Sequence, residues 1–423
     1  MNNIYKLVTL KNNLRVLIFP KSDAHSISLN CVIKTGAMDD PIGESGLAHM
    51  VEHFIMHRSN KLDASGLAQL QEILGGAFSG SIDDSIIRIG GQFHYSKVAE
   101  TLDLLKDIVF DRNFENISFD EVKRVVTEEI SLDEDDPFSL VAKFARSVRF
   151  STLTSLSFLS CGTIKTVNSI KFRDITDFYK AYFVPENCFL VLTGKIQTEK
   201  TENLIQRIFG SIKNSNFKTN KKPVVSYSDK IIKKITKPYS NIYTLVNFPG
   251  LSRKDSDLER AAAAFTNYIL ISSQSSRLYN ILKNQIYDFS GETIFEKIYG
   301  IFGISWSSNP RKHKTILKAI FEEIEKIKNE QVSNDEIVRA RNYCNQFDEM
   351  DFDNVNEIAD WFIGELVFEG KIMLPQDLKK LRDKVTPAVI QKVAKRIFNL
   401  KKINLVVIGP VAKLAPGWER LLI

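Results

Sequence analysis

The sequence predicts an α+β fold built twice: two similar domains, each a mixed β-sheet with helices packed on it. Three observations predict it. At 423 residues the chain is too long for one ordinary hydrophobic core. A polar, basic stretch at 213–223, with little to bury, interrupts it near the middle and reads as a linker. The two sides of that linker rhyme. A helical segment at 174–182 precedes the strand-like 187–194, and one at 387–398 precedes the strand-like 403–409. The repeat is roughly 215 residues, well beyond a solenoid period. The expected organisation is a first domain over 1–212, a linker over 213–231 and a second domain over 232–423.

Composition narrows the class. With 43% hydrophobic and 26% charged residues the chain is globular. Its net charge of +6 comes from 57 basic and 51 acidic residues, with lysines spread in mixed-sign company. No basic cluster carries interleaved aromatics, which argues against nucleic-acid binding. The four cysteines have no Cys-x-x-Cys spacing and read as isolated small hydrophobes in a reduced compartment. The start has no signal-peptide core, and no apolar run approaches a membrane span, so a cytoplasmic protein is expected.

In chain order, 4–10 and 14–19 read as strands joined by a turn at Asn12-Asn13. Residues 26–33 alternate apolar and polar, as a half-buried strand should. An acidic turn and Pro41 lead to a helix with Ser45 as its expected N-cap. A helix at 64–74 stops at Gly75-Gly76. Residues 77–81 are small and polar apart from Phe78, 85–93 reads as a strand, and 97–110 as an amphipathic helix. The next helix opens at Phe119 with Ser118 and Glu121 as a capping box. Helical segments reach about Tyr182, and another spans 198–209. In the second half, 241–248 is strand-like, and 258–270, 314–328 and 333–347 are helical.

The chemistry lies in the helix after Ser45, which contains His49-Met50-Val51-Glu52-His53. The histidines are four residues apart and share one helix face, with Glu52 beside them. Two neutral imidazoles so placed can hold one Zn²⁺, and the carboxylate can take a proton from water. The order His-x-x-Glu-His is the inverzincin arrangement. With six histidines in 423 residues, chance would produce it in roughly one chain in a few hundred. Two histidines require a third ligand. In the helix from Phe119, the apolar stripe Val122, Val125 and Val126 next reaches Glu129, turning a carboxylate toward the buried face. Its neighbour Glu128 is the competitor. The second half carries no copy of the motif: its counterpart is Leu258-Glu259-Arg260-Ala261-Ala262-Ala263-Ala264-Phe265.

These residues together resemble the M16 (pitrilysin-like) zinc peptidases, in particular the short two-domain group that includes mitochondrial processing peptidase subunits and many bacterial peptidases. The resemblance runs over essentially the whole chain. It is carried by Asn13-Leu14-Arg15-Val16, Gly46 to His53, Gly75-Gly76, Val125-Val126-Thr127-Glu128-Glu129-Ile130 with Asp135-Asp136-Pro137, Gly162-Thr163, 187–194 and Ser275-Ser276-Arg277-Leu278. It implies two domains facing each other across a cavity. It also implies one Zn²⁺ per chain on His49, His53 and Glu129, with Glu52 as general base. The implied activity is hydrolysis of peptides or unfolded segments in a chamber. The strand holding Phe78, Ser79 and Gly80 would receive the substrate by β-augmentation. Ser79-Gly80 replaces the family's Asn-Ala, so the side-chain part of that contact differs. In the second half Lys283 and Tyr287 are nearest to the family's substrate-contacting Arg and Tyr, and Tyr287 is the candidate oxyanion donor. Lys does not reproduce an Arg fork. Larger relatives use four such domains, so a homodimer, or a heterodimer with a related subunit, is expected. The alternative is a weakened or inactive chain serving as a structural partner in a heteromeric peptidase.

Overall fold

The computed structural model describes residues 4–111, 114, 117–215, 224–368 and 371–422. The middle of the expected linker, 216–223, lies outside the described residues. The chain forms two compact units. No described helix is long and apolar enough to cross a membrane.

The first unit comprises residues up to 132, 154–223 and 350–372. Its sheet contains β1 (Lys6–Thr9), β2 (Arg15–Pro20), β3 (Ser26–Ile33), β4 (Phe78–Ile82), β5 (Ile87–His94) and β6 (Cys188–Gly194), in the order β1-β2-β6-β3-β5-β4. Only β2 and β6 are parallel. Its helices are α1 (Leu47–Met56), α2 (Ala64–Leu74), α3 (Val98–Val109), most of α4 (Phe119–Asp135), α6 (Ile164–Ser169), α7 (Phe172–Tyr182), α8 (Thr198–Phe209) and α13 (Val355–Val367). One core takes Ile27, Leu29, Cys31 and Ile33 of β3 together with apolar residues of α1, α3, α7 and α8.

The expectation of a half-buried β3 is overturned: every residue from Ile27 to Ile33 is buried. The reason is α13, which comes from the far half of the sequence and packs on β3 and β6. It meets the strand residues that alternation turns away from the first core. Thr193 donates to the Val355 carbonyl at 2.5 Å, and Arg88 pairs with Asp360 at 2.5 Å while donating to Asn30 Oδ1 at 2.8 Å. Phe362 seals the patch against Tyr5 and Phe19, with centroids 5.3 and 5.5 Å away.

The second unit comprises 133–153, 224–349 and 373–423. Its strands are β7 (Ile231–Thr236), β8 (Ile242–Pro249), β9 (Ile286–Phe295), β10 (Gly300–Ser308) and β11 (Asn404–Gly409), in the order β7-β11-β8-β10-β9. Its helices are α5 (Pro137–Arg149), α9 (Asp257–Asn267), α10 (Arg277–Leu282), α11 (His313–Asn329), most of α12 (Asn334–Asp351), α14 (Pro375–Arg382) and α15 (Pro387–Ile397).

Five strands of the first sheet, all but β1, repeat in the second. In each, one parallel pair (β2 with β6, β7 with β11) is followed by antiparallel neighbours in the same order. The covering helix repeats as well, because α5 lies on β8 and β11, the strands equivalent to β3 and β6. Each half of the sequence therefore supplies one helix to the other half's sheet.

Candidate metal centre

Helix α1 carries the motif, and its start is fixed by an unusual cap. Gly46 has φ 98°, and a Cβ there would lie 2.6 Å from the Cys161 carbonyl oxygen, so glycine is needed. Ser45, the expected N-cap, does not cap the helix. Instead the buried Asp40 carboxylate accepts from the Gly46 N–H at 2.8 Å and the Ala48 N–H at 2.9 Å. Burial outweighs these bonds and pushes the Asp40 carboxyl up to about 8. Leu47, Met50, Val51, Phe54 and Ile55 fill the core. That packing fixes the helix rotation and groups His49, Glu52 and His53.

Glu129 arrives from α4, 76 residues after His53. His53 Nε2 lies 3.2 Å from His49 Nε2 and 3.1 Å from Glu129 Oε2, and His49 Nε2 lies 3.7 Å from that same oxygen. Ligand atoms at ordinary zinc distances in a tetrahedral shell stand about 3.3 Å apart. The trio therefore fits one Zn²⁺, and among the described residues it is the one group of His, Cys, Asp and Glu atoms so clustered. Burial, and next the neighbouring His53, lower the His49 pKa to about 3, which keeps that imidazole neutral.

Glu52 is itself buried, with Oε2 3.8 Å from His53 Nε2. Burial, followed by the nearby Glu129 charge, raises its carboxyl to about 7. Gly80 of β4 makes room for it: a Cβ on Gly80 would fall 1.6 Å from Glu52 Oε1.

The α4 phase differs from the sequence expectation. Its buried stripe is Val122, Val126 and Ile130, spaced by four, and Glu129 lies on the flank of that stripe with its side chain 44% exposed. Glu128 turns to solvent and pairs with Arg124 at 2.8 Å. Phe78 does not offer its side chain to a ligand; the ring is in the core, 4.6 Å from Phe93. Ser79 is exposed. Lys283 and Tyr287 belong to the second unit and line a cavity of about 710 Å³ there, with Phe138, Asp288 and Ser305. Tyr287 is 71% exposed. Sequence reasoning missed Asp40; the available signal was a glycine at the N-cap, which has no side chain of its own to cap with.

Family models match both halves. One described as "Insulinase (Peptidase family M16)" covers residues 15–154, and one described as "Peptidase M16 inactive domain" covers 169–344. A Rickettsia bellii protein described as an uncharacterized zinc protease is 24% identical over 420 residues, spanning 97% of this chain and 98% of its own. An Arabidopsis thaliana protein named "Probable mitochondrial-processing peptidase subunit beta, mitochondrial" is 20% identical over 424 residues, spanning 97% and 79%. The solved structure of a Helicobacter pylori protease shares the fold with a TM-score of 0.88 at 19% identity, over 96% of this chain and 99% of that one.

Proposed function

The chain belongs to peptidase family M16, and from that premise we propose that it is a zinc-dependent endopeptidase acting on peptides or unfolded segments. One observation carries the reading: two imidazole nitrogens and a carboxylate oxygen converge at 3.1 to 3.7 Å with a second, buried carboxylate alongside. His49, His53 and Glu129 would hold one Zn²⁺, whose Lewis acidity would polarise the scissile carbonyl and acidify water. Glu52 takes a proton from the attacking water and delivers it to the leaving amine. Its raised affinity for a proton suits both transfers. The outer edge of β4 binds the peptide backbone by strand addition. Lys283 and Tyr287 enter as peptide-contacting residues on the resemblance alone. A cytoplasmic setting accords with four cysteines that form no disulfide among the described residues.

A second reading has its own support. The Arabidopsis relative is named as a subunit, and the model matching the second half is described as inactive. These favour a dimer, with itself or with a related chain, in which this subunit could serve as a structural partner. Metal analysis, peptide cleavage and mass in solution separate the readings. A wild-type protein with about one zinc per chain that cleaves unstructured peptides supports the enzyme. Glu52→Gln should then keep its zinc and lose at least about 100-fold in rate. Undiminished cleavage by that variant overturns the mechanism, and a wild type that binds no zinc favours the partner.

A further inference from the structure

Among the described residues strand β4 ends its sheet, with β5 as its one neighbour in the strand order. The Phe78 N–H nevertheless has an acceptor outside the ladder: it donates to Gln71 Oε1 at 2.7 Å. An N–H bonded in this way points toward the open edge. By the alternation of antiparallel pairs, the backbone groups of Gly80 and Ile82 point there too, while Ser79 and Ser81 exchange bonds with β5. Gly80 is also the residue against which Glu52 rests.

The Gln71 backbone is fixed by the end of its helix. It lies in the last turn of α2, and its carbonyl accepts from Gly76 N–H at 3.2 Å in the turn made by Gly75, whose φ is 72°. An extended peptide laid along β4 therefore meets a free N–H at Gly80 and Ile82 but at Phe78 finds only the carbonyl.

We propose that Gln71 is a positioning residue that sets the register of the bound peptide. By occupying the Phe78 N–H it ends two-way pairing at Gly80, which places the last fully paired peptide residue beside Glu52. The proposal rests on β4 being the peptide-binding edge, as in the function proposed above.

The test uses zinc-loaded full-length Glu52→Gln protein, an unstructured 20-residue peptide and amide-resolved hydrogen exchange. The peptide should slow exchange at Gly80 and Ile82 by at least about tenfold and leave Phe78 unchanged. Adding Gln71→Met, which keeps the bulk and removes the acceptor, should make Phe78 peptide-protected as well. Gln71→Glu, which keeps an acceptor, should behave as the parent. In the otherwise wild-type enzyme, Gln71→Met should spread cleavage of the same peptide to new bonds while zinc content and melting temperature hold. If the peptide protects Phe78 with Gln71 in place, or Gln71→Met changes neither exchange nor products, the register role is wrong. If no β4 amide responds to peptide in any variant, β4 is not the docking edge and the register role falls with it. Loss of cleavage in Glu52→Gln would still stand in that case, so the two failures are distinguishable.

Discussion

At Gly80 a single hydrogen in place of a methyl decides where the proposed base sits. A Cβ 1.6 Å from Glu52 Oε1 and 2.5 Å from its Cδ cannot be accommodated without moving that carboxylate. Gly80→Ala should therefore bind zinc as the wild type does, because His49, His53 and Glu129 do not touch it, but lose about 10- to 100-fold in kcat. Equal kcat in the two proteins would refute the packing argument. Glu52 also couples the fold to pH. Its carboxyl is raised to about 7 from 4.5, so between those values the folded metal-free chain holds a proton that the unfolded chain has released. This stabilisation is complete below about pH 4.5 and is lost as pH rises through about 7, at up to about 1.4 kcal/mol per pH unit. Asp40, raised to about 8, acts in the same direction. His49 and His313, lowered to about 3 and about 4, act in the opposite direction below about pH 6.5, so the melting temperature of metal-free protein should fall between pH 6.5 and 8, and Glu52→Gln should shrink that fall. An unchanged slope would show that Glu52 titrates normally. The contiguous residues of this site are legible in the sequence because three side chains at helix spacing need only one helix to meet. Gln71 and Asp40 are not, since each acts through a backbone N–H that only the finished turn brings within reach.

At the scale of elements, α1 is useful only if its rotation and start are fixed, and Asp40 does the latter. Asp40→Ala leaves the Gly46 and Ala48 N–H groups without acceptors in a buried setting, at a cost of about 2–4 kcal/mol. A lower melting temperature with weaker zinc retention is expected; a variant as stable as the parent would mean that solvent replaces the carboxylate. Helix α2 is readable from its stop signal, because Gly75, in the left-handed region, ends it; the cap that Asp63 supplies at its start is a feature the sequence reading did not use. Helix α4 is readable in its start at Phe119 but not in its exact phase. Its apolar positions admit two stripes, and packing selected Val122, Val126 and Ile130, which left Glu129 at the margin where a ligand can be reached. The hairpin β9–β10 left little local signal: β9 mixes Tyr287, Asp288, Ser290 and Glu292 with its apolar residues, and an edge strand has only one buried face to reveal.

At the scale of the molecule, the duplication shows which features belong to the frame and which to the site. Tracing register across each sheet, Leu190 pairs with Cys31, Cys31 with Ile89 and Ile89 with Gly80; Leu405 pairs with Val246, Val246 with Ile304 and Ile304 with Gly291. Gly80 and Gly291 thus occupy the same place in two copies. The first faces Glu52, whereas a Cβ on the second would meet Asn267 Oδ1 at 2.1 Å. In sequence, Ala263 and Ala264 stand where Glu52 and His53 stand. The frame repeats and the chemistry does not. What the repeat concealed from the sequence is the exchanged helix, since nothing local joins β3 to residues more than 300 positions away. Its consequence can be measured. A fragment ending at 231 keeps all six strands of the first sheet but loses α13, with its buried Val355, Ile358, Phe362, Ile363 and Leu366. At about 1.5–3 kcal/mol for each large buried side chain, the loss is comparable to the whole stability of an ordinary domain. The fragment alone should lack a cooperative thermal transition, and joining residues 350–372 to it through a flexible linker should restore one. Cooperative melting of the bare fragment at the full chain's temperature would mean that the first sheet closes without its borrowed helix.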